Sequence, residues 1–248
     1  MRPPLLPPLL PTLFTALAVS AMLALGGWQL QRLHWKQELL ASIAAAQAAP
    51  AIDLDALPGD APGETPGETS LPDLAWHAVK VSGQFDHAHE LRLIPRTRDG
   101  QVGAELITPL VTASGRVWLI NRGWVPQAQL EPATRPNSQP AGVVSVSGRA
   151  RQPAPRGWMQ PANNPARNQW FYVDLPAMAA ATGQPHSVTT LYIEADANRD
   201  SSALPLGGAG QHDIPNNHLE YAITWFSLAG ILTIIYAVFV LSRLRARR

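Results

Sequence analysis

Pro215-Asn216-Asn217-His218-Leu219-Glu220-Tyr221-Ala222-Ile223-Thr224-Trp225-Phe226 carries the chain into its last apolar run. From Tyr221 to Ser242 there is no charged residue over 22 positions, and Arg243, Arg245, Arg247 and Arg248 follow at once. At about 1.5 Å of rise per residue, such a run spans a hydrocarbon core of about 30 Å. Lipid offers no hydrogen bonds, so the segment must satisfy its backbone internally, as a helix. His218, Tyr221, Ala222 and Trp225 then share one face at i, i+3, i+4 and i+7. Asn216 and Asn217 are placed to cap the first N–H groups of this helix.

A second apolar segment opens the chain. Residues Pro3 to Gln31 carry no charge, and Leu13 to Leu25 is the strongly apolar part. Ala16-Leu17-Ala18 could imitate a signal-peptide cleavage site. The apolar run continues well past it, however, and ends in Trp28, Arg32 and Trp35, an aromatic and basic anchor. A retained membrane helix is therefore expected over about 10–31, continuing as a juxtamembrane helix over 32–49. Trp28, Arg32, Trp35 and Lys36 recur at helical spacing. Arg32 and Lys36 read first as cations snorkelling to headgroups, and second as a cationic face suited to carboxylates.

The C-terminal arginines are expected to stay cytoplasmic, with two spans placing both termini inside and the central domain outside. The second span is expected over 219–242 and the basic tail over 243–248. Net charge is +1, which gives no support to nucleic-acid binding. The absence of cysteine excludes disulfides, thiolate metal sites and covalent haem attachment. Only Arg2 is basic near the start, which fits a bacterial inner membrane better than a mitochondrial targeting segment.

Residues 50–73 are rich in Pro, Gly, Ala and acids, with no periodic apolar face, and read as a linker or long loop. The domain over 74–214 is written in strands. Trp76 to Phe85, His89 to Pro95, Leu106 to Thr112, Val117 to Asn121, Val143 to Ser147, Gln169 to Asp174 and Ser187 to Glu194 are short β-rich runs. Gly100, Ser114-Gly115 and Pro140 to Gly142 mark turns. One helix is expected over Leu175 to Thr182, stopped by Gly183. The whole is an α+β membrane protein, in which two transmembrane helices flank an extracytoplasmic antiparallel β barrel or sandwich with a short helix.

Catalytic motifs are not apparent. His89-Glu90 begins like H-E-x-x-H, but Leu93 stands where the second histidine would be. His87 and His89 would face the same way on a strand, and an exposed turn explains them better than a metal does. Asn121-Arg122-Gly123-Trp124 ends a strand in a polar corner. There Gly123 can take a positive φ, and Arg122 can stack on a tryptophan or grip an acid. A structural turn is the plainer reading. For His218 the plain reading is an interfacial histidine bonded to a carbonyl or water, and the other is an axial ligand to haem iron. Tyr221 and Trp225 are also ordinary members of an aromatic belt.

Several motifs then combine. Gly27-Trp28-Gln29 with Arg32, Trp35 and Lys36 comes first, followed by Val81 to Phe85 and Ile107-Thr108-Pro109-Leu110. Asn121 to Pro126, Trp170 to Asp174 and Pro215 to Phe226 complete the series. Their order resembles the surfeit locus protein 1 family over about Gly26 to Val240. The resemblance implies a two-span membrane protein, not an enzyme, that assists assembly of haem–copper cytochrome c oxidase. It also implies haem a supply to the catalytic subunit, with His218 matching the histidine proposed to hold haem iron. Tyr221, Trp225 and Trp28 would then pack on the macrocycle, and Arg32 or Lys36 would meet its propionates. Asn121, Arg122, Gly123, Trp124 and Asn217 would serve partner or structural roles. The expected partners are the oxidase catalytic subunit, membrane lipid and haem a synthase. A scaffold that binds oxidase subunits without haem remains the alternative. Ala104, where the family tends to carry an aromatic residue, and the 50–73 stretch depart from the pattern.

Overall fold

The computed structural model describes residues 9–57, 74–184, 186–198, 200, 202–208 and 216–245. Most of the expected 50–73 linker, the last residues of the expected β domain and the end of the arginine tail lie outside the described residues. The chain divides into two compact units, Met1–Ser42 with Asp213–Arg248, and Ile43–His212.

The first unit is built on two helices. Helix α1 runs unbroken from Leu9 to Ala48 and helix α3 from His218 to Arg245. Both are long and apolar enough to cross a membrane, and the protein is a membrane protein. The side chains are arranged as lipid requires. Leu13, Phe14, Leu17, Ile231, Ile234 and Val238 point outward, while Gly26, Ala222 and Ala229 are buried. Small residues let helix backbones approach where hydrophobicity gives no drive to associate. Thr12 Oγ1 bonds Tyr236 Oη, a Cβ on Gly26 would lie 2.8 Å from the Phe226 ring, and Gln29 bonds His218. Residues 12, 26 and 29 thus meet 236, 226 and 218, so the helices run antiparallel.

The second unit holds seven strands: β1 (Ile52–Asp53), β2 (Ala78–Phe85), β3 (Leu91–Arg98), β4 (Gln101–Val111), β5 (Val117–Pro126), β6 (Val143–Arg151) and β7 (Tyr192–Ala195). Their order is β1-β2-β6-β7-β5-β4-β3, and β2 also pairs with β4. That extra pairing closes β2, β6, β7, β5 and β4 into a ring. Closure rests on two residue pairs, Gln84 with Val111 and Phe85 with Leu110. Most pairings are antiparallel, but β1 with β2 and β5 with β7 are parallel, so the sheet is mixed.

Two apolar cores follow from strand alternation. Val79, Val81, Leu110, Trp118, Ile120, Ala150 and Ile193 fill the ring. Leu91, Leu93, Ile107, Leu119, Trp170 and Tyr192 form a second core with Leu175 and Met178 of the short helix α2 (Leu175–Thr182). Strand β5 therefore buries both faces, which explains the unbroken Val117-Trp118-Leu119-Ile120 run. Helix α2 starts where the Asp174 side chain accepts from Ala177 N–H, and it stops at Gly183 with φ of 65°.

Gln169 to Asp174 departs from the expected strand. Only Trp170 pairs, with Arg92 and Ile94, alongside a bridge between Gln169 and Asn164. Asn163 Oδ1 accepts from Phe171 and Tyr172 N–H, taking up donors that a ladder would need. Residues 51–57, loop-like in composition, are partly ordered. Ile52 pairs with Val79, Leu54 is buried, and Asp55 accepts from Ser82 N–H at 2.8 Å.

Candidate functional site

Helix α3 begins at His218. The Asn217 carbonyl accepts from Tyr221 N–H at 3.2 Å, so Asn217 stands at the cap position through its main chain. Asn216 does not cap as expected, because its buried Oδ1 makes no hydrogen bond among the described residues. His218 is half-buried against α1, and its Nδ1 lies 2.8 Å from Gln29 Oε1. An amide oxygen can only accept, so Nδ1 carries the proton and donates. A neutral imidazole that donates from Nδ1 keeps its lone pair on Nε2.

The face expected for His218, Tyr221, Ala222 and Trp225 is split by packing. Ala222 is buried at the helix contact, Trp225 is half-buried beside it, and Tyr221 is exposed. On α1, Trp28 is exposed and Lys36 half-buried, and the Arg32 guanidinium lies 4.1 Å from the Trp35 ring centroid. That stacking directs the cation along its own helix. Gln29 has no role by spacing. It sits beside the anchor residues on α1, and its contact with His218 is legible only once the helices pair.

The Asn121 to Trp124 corner lies in the second unit. Register shifts between β4 and β5 at this point: Ile107 faces Asn121 and Leu106 faces Gly123, which leaves Arg122 as the extra residue of a bulge. A bulge re-aims the side chain it carries. Arg122 is buried, its guanidinium 4.7 Å from the Phe85 ring centroid and 3.8 Å from Glu90, while Nη2 donates to the Ser138 carbonyl. The aromatic partner is thus a phenylalanine, and the acid is Glu90. Arg135 also grips Glu90, with both carboxylate oxygens engaged. Two buried cations share one carboxylate, and Arg122 Nη1 has no hydrogen bond among the described residues. Burial, with Arg135 nearby and Glu90 only partly offsetting them, lowers the Arg122 pKa to about 10.

The neighbours of Arg122 complete the corner. Asn121 Nδ2 donates to Glu105 at 2.9 Å, and its Oδ1 accepts from Gly123 N–H. Gly123 has φ of 117°, and any Cβ there would collide with the Leu206 carbonyl. Trp124 pairs with Leu206 through both backbone groups, and its indole N–H donates to the Arg96 carbonyl. A groove of about 460 Å³ borders Arg122, Ser138 and Asn198. His87 and His89 separate, His87 toward the Pro140 carbonyl and His89 to Asp86. Among the described residues no group of three His, Cys, Asp or Glu could hold a metal ion.

The SURF1 family pattern matches residues 16–230, which takes in most of α1, the whole strand domain and the first half of α3. The chain belongs to the SURF1 family. Mouse Surfeit locus protein 1 is 33% identical over 238 residues, covering 90% of this chain and 73% of the mouse protein. The human protein is 35% identical over 228 residues, 86% of this chain and 71% of its own length. A SURF1-like protein of Drosophila melanogaster is 30% identical over 241 residues, 90% and 75% of the two chains. SURF1 is a family of cytochrome c oxidase assembly factors, and these are not enzymes. The SURF1 match spans both Gln29 and His218, and it also spans the Arg122 bulge.

Proposed function

We propose that this protein assembles haem–copper cytochrome c oxidase by holding haem a at one end of the α1–α3 pair and aiding its insertion into the catalytic subunit. The observation that carries this reading is the His218 ring. Its Nδ1 is taken by Gln29, so Nε2 is the nitrogen able to ligate iron, at the edge of an apolar helix pair. The donor set suits an apolar macrocycle with two acidic arms. His218 would meet the iron, and Tyr221, Trp225 and Trp28 would offer ring surfaces. Arg32 and Lys36 would supply cations for the propionates. Haem a is cargo here, and its redox chemistry belongs to the oxidase that receives it.

The setting is a bacterial inner membrane, both termini cytoplasmic and the strand domain periplasmic, supported by the C-terminal arginines. Partners on this reading are the oxidase catalytic subunit, lipid and haem a synthase. A second reading is a scaffold that contacts oxidase subunits without haem. Trp158 and Met159 favour it, being 92% and 73% exposed on a turn held by Gly157, Gln160 and Arg156. Exposed aromatic anchors are features of docking surfaces.

The test is haem absorption of protein purified from cells able to make haem a. His218→Ala is expected to reach the membrane at normal level with the bound haem lost. Retention of the unaltered spectrum and stoichiometry would remove His218 as the ligand and leave the scaffold reading.

A further inference from the structure

We infer that Gln29 is the positioning residue for His218: its amide oxygen fixes the imidazole as the Nδ1–H tautomer and presents Nε2 as the ligating atom. The inference rests on the haem reading above for its purpose, but not for its geometry.

A neutral imidazole has two tautomers, and which one is present is set by the hydrogen bond made at the other nitrogen. His218 stands at the first residue of α3. Among the described residues its ring is bonded from α1, 189 positions away, at 2.8 Å. Gln29 lies one turn before Arg32 and three residues after Gly26, whose lack of a side chain admits the Phe226 ring. The close approach at Gly26 brings α1 near enough for a glutamine to span to the first turn of α3. One contact thus fixes the tautomer and the direction of the ring, and it polarises the ring so that Nε2 is the better donor to a metal.

A neutral amide is also suited to this depth. A carboxylate acceptor would carry a full charge at the edge of the hydrocarbon, where ionised groups are costly. An amide polarises the ring less than a carboxylate does, so a bond from Nε2 to iron would be weaker. A carrier that must release its cargo is served by that weaker bond.

The experiment uses the full-length protein in detergent, first without haem. Nitrogen NMR of 15N-histidine-labelled protein should show His218 as the Nδ1–H tautomer. Gln29→Leu should move it toward Nε2–H, and Gln29→Glu, which keeps an acceptor oxygen, should leave it in place. Titration with haem a should then give affinity about 10–100-fold weaker for Gln29→Leu. Gln29→Glu should bind at least as tightly as the unaltered protein and show a lower reduction potential. An unchanged tautomer in Gln29→Leu would overturn the inference. So would unchanged haem affinity in that variant when His218→Ala has lost binding. If His218→Ala itself binds haem normally, the haem reading fails, while the tautomer result still decides what Gln29 does.

Discussion

Arg122, Glu90 and Arg135 form a buried triad with one cation more than it has anions. Such groups are strongly destabilising when half-removed and only weakly stabilising when whole. Glu90→Gln would strand two guanidiniums and should cost about 3–5 kcal/mol. Arg122→Met removes the poorly paired cation and leaves the Glu90–Arg135 fork, so it should cost clearly less, the loss being chiefly the Ser138 contact. Urea unfolding of the two variants checks the order, and equal costs would mean that Arg122 holds the bulge by more than charge. Glu194 is a separate case. Burial raises its pKa most, with Glu105 adding to the effect and Arg151 and Tyr192 opposing it. The folded state therefore binds its proton more tightly than the unfolded chain does. Its contribution is present below the ordinary glutamate range and is lost as pH rises through the raised value. Glu194→Gln should flatten this part of the stability profile above the ordinary glutamate range, as read by thermal melting at a series of pH values.

At the scale of elements, the α1–α3 contact depends on Gly26. Gly26→Val places new atoms against Phe226, at 2.8 Å already for the Cβ, and overpacking of this kind costs about 1–3 kcal/mol. Melting in detergent should fall for Gly26→Val and recover in part when Phe226→Ala is added. No recovery would locate the damage in α1 alone. Helix α2 was legible to the residue because its signals are local: Asp174 before it and Gly183 after it. The Gln169 to Asp174 run was misread because β propensity ignores Asn163, whose side chain takes the backbone donors. His218 could be singled out from spacing along one helix. Gln29 could not, nor could Glu90 and Arg135 as partners of Arg122, because each acts across a long separation that composition does not encode.

At the scale of the molecule, the alternation of short strands pointed to an antiparallel barrel or sandwich, and the structure gives a mixed ring with the outlying strands β1 and β3. The parallel pairs were hidden because they are only two residues long each. The orientation of the chain in the membrane can be tested without removing any native thiol, since there is none. A cysteine at exposed Trp158 should react with an impermeant reagent in intact cells, and one at Arg245 should react only after lysis. The reverse pattern would invert the orientation.

The antiparallel helix pair also has a meaning in time. Gln29 and His218 are 189 positions apart, and a ribosome adds about 5–20 residues per second. Helix α1 therefore waits about 10–40 s in the bilayer before its partner is translated. For that interval the nascent chain has Gln29 but not His218, and on the proposed haem reading cargo that arrived early would lack its ligand. Because His218 follows the strand domain in the chain, the haem reading lets only a chain whose strand domain has already been synthesised be loaded.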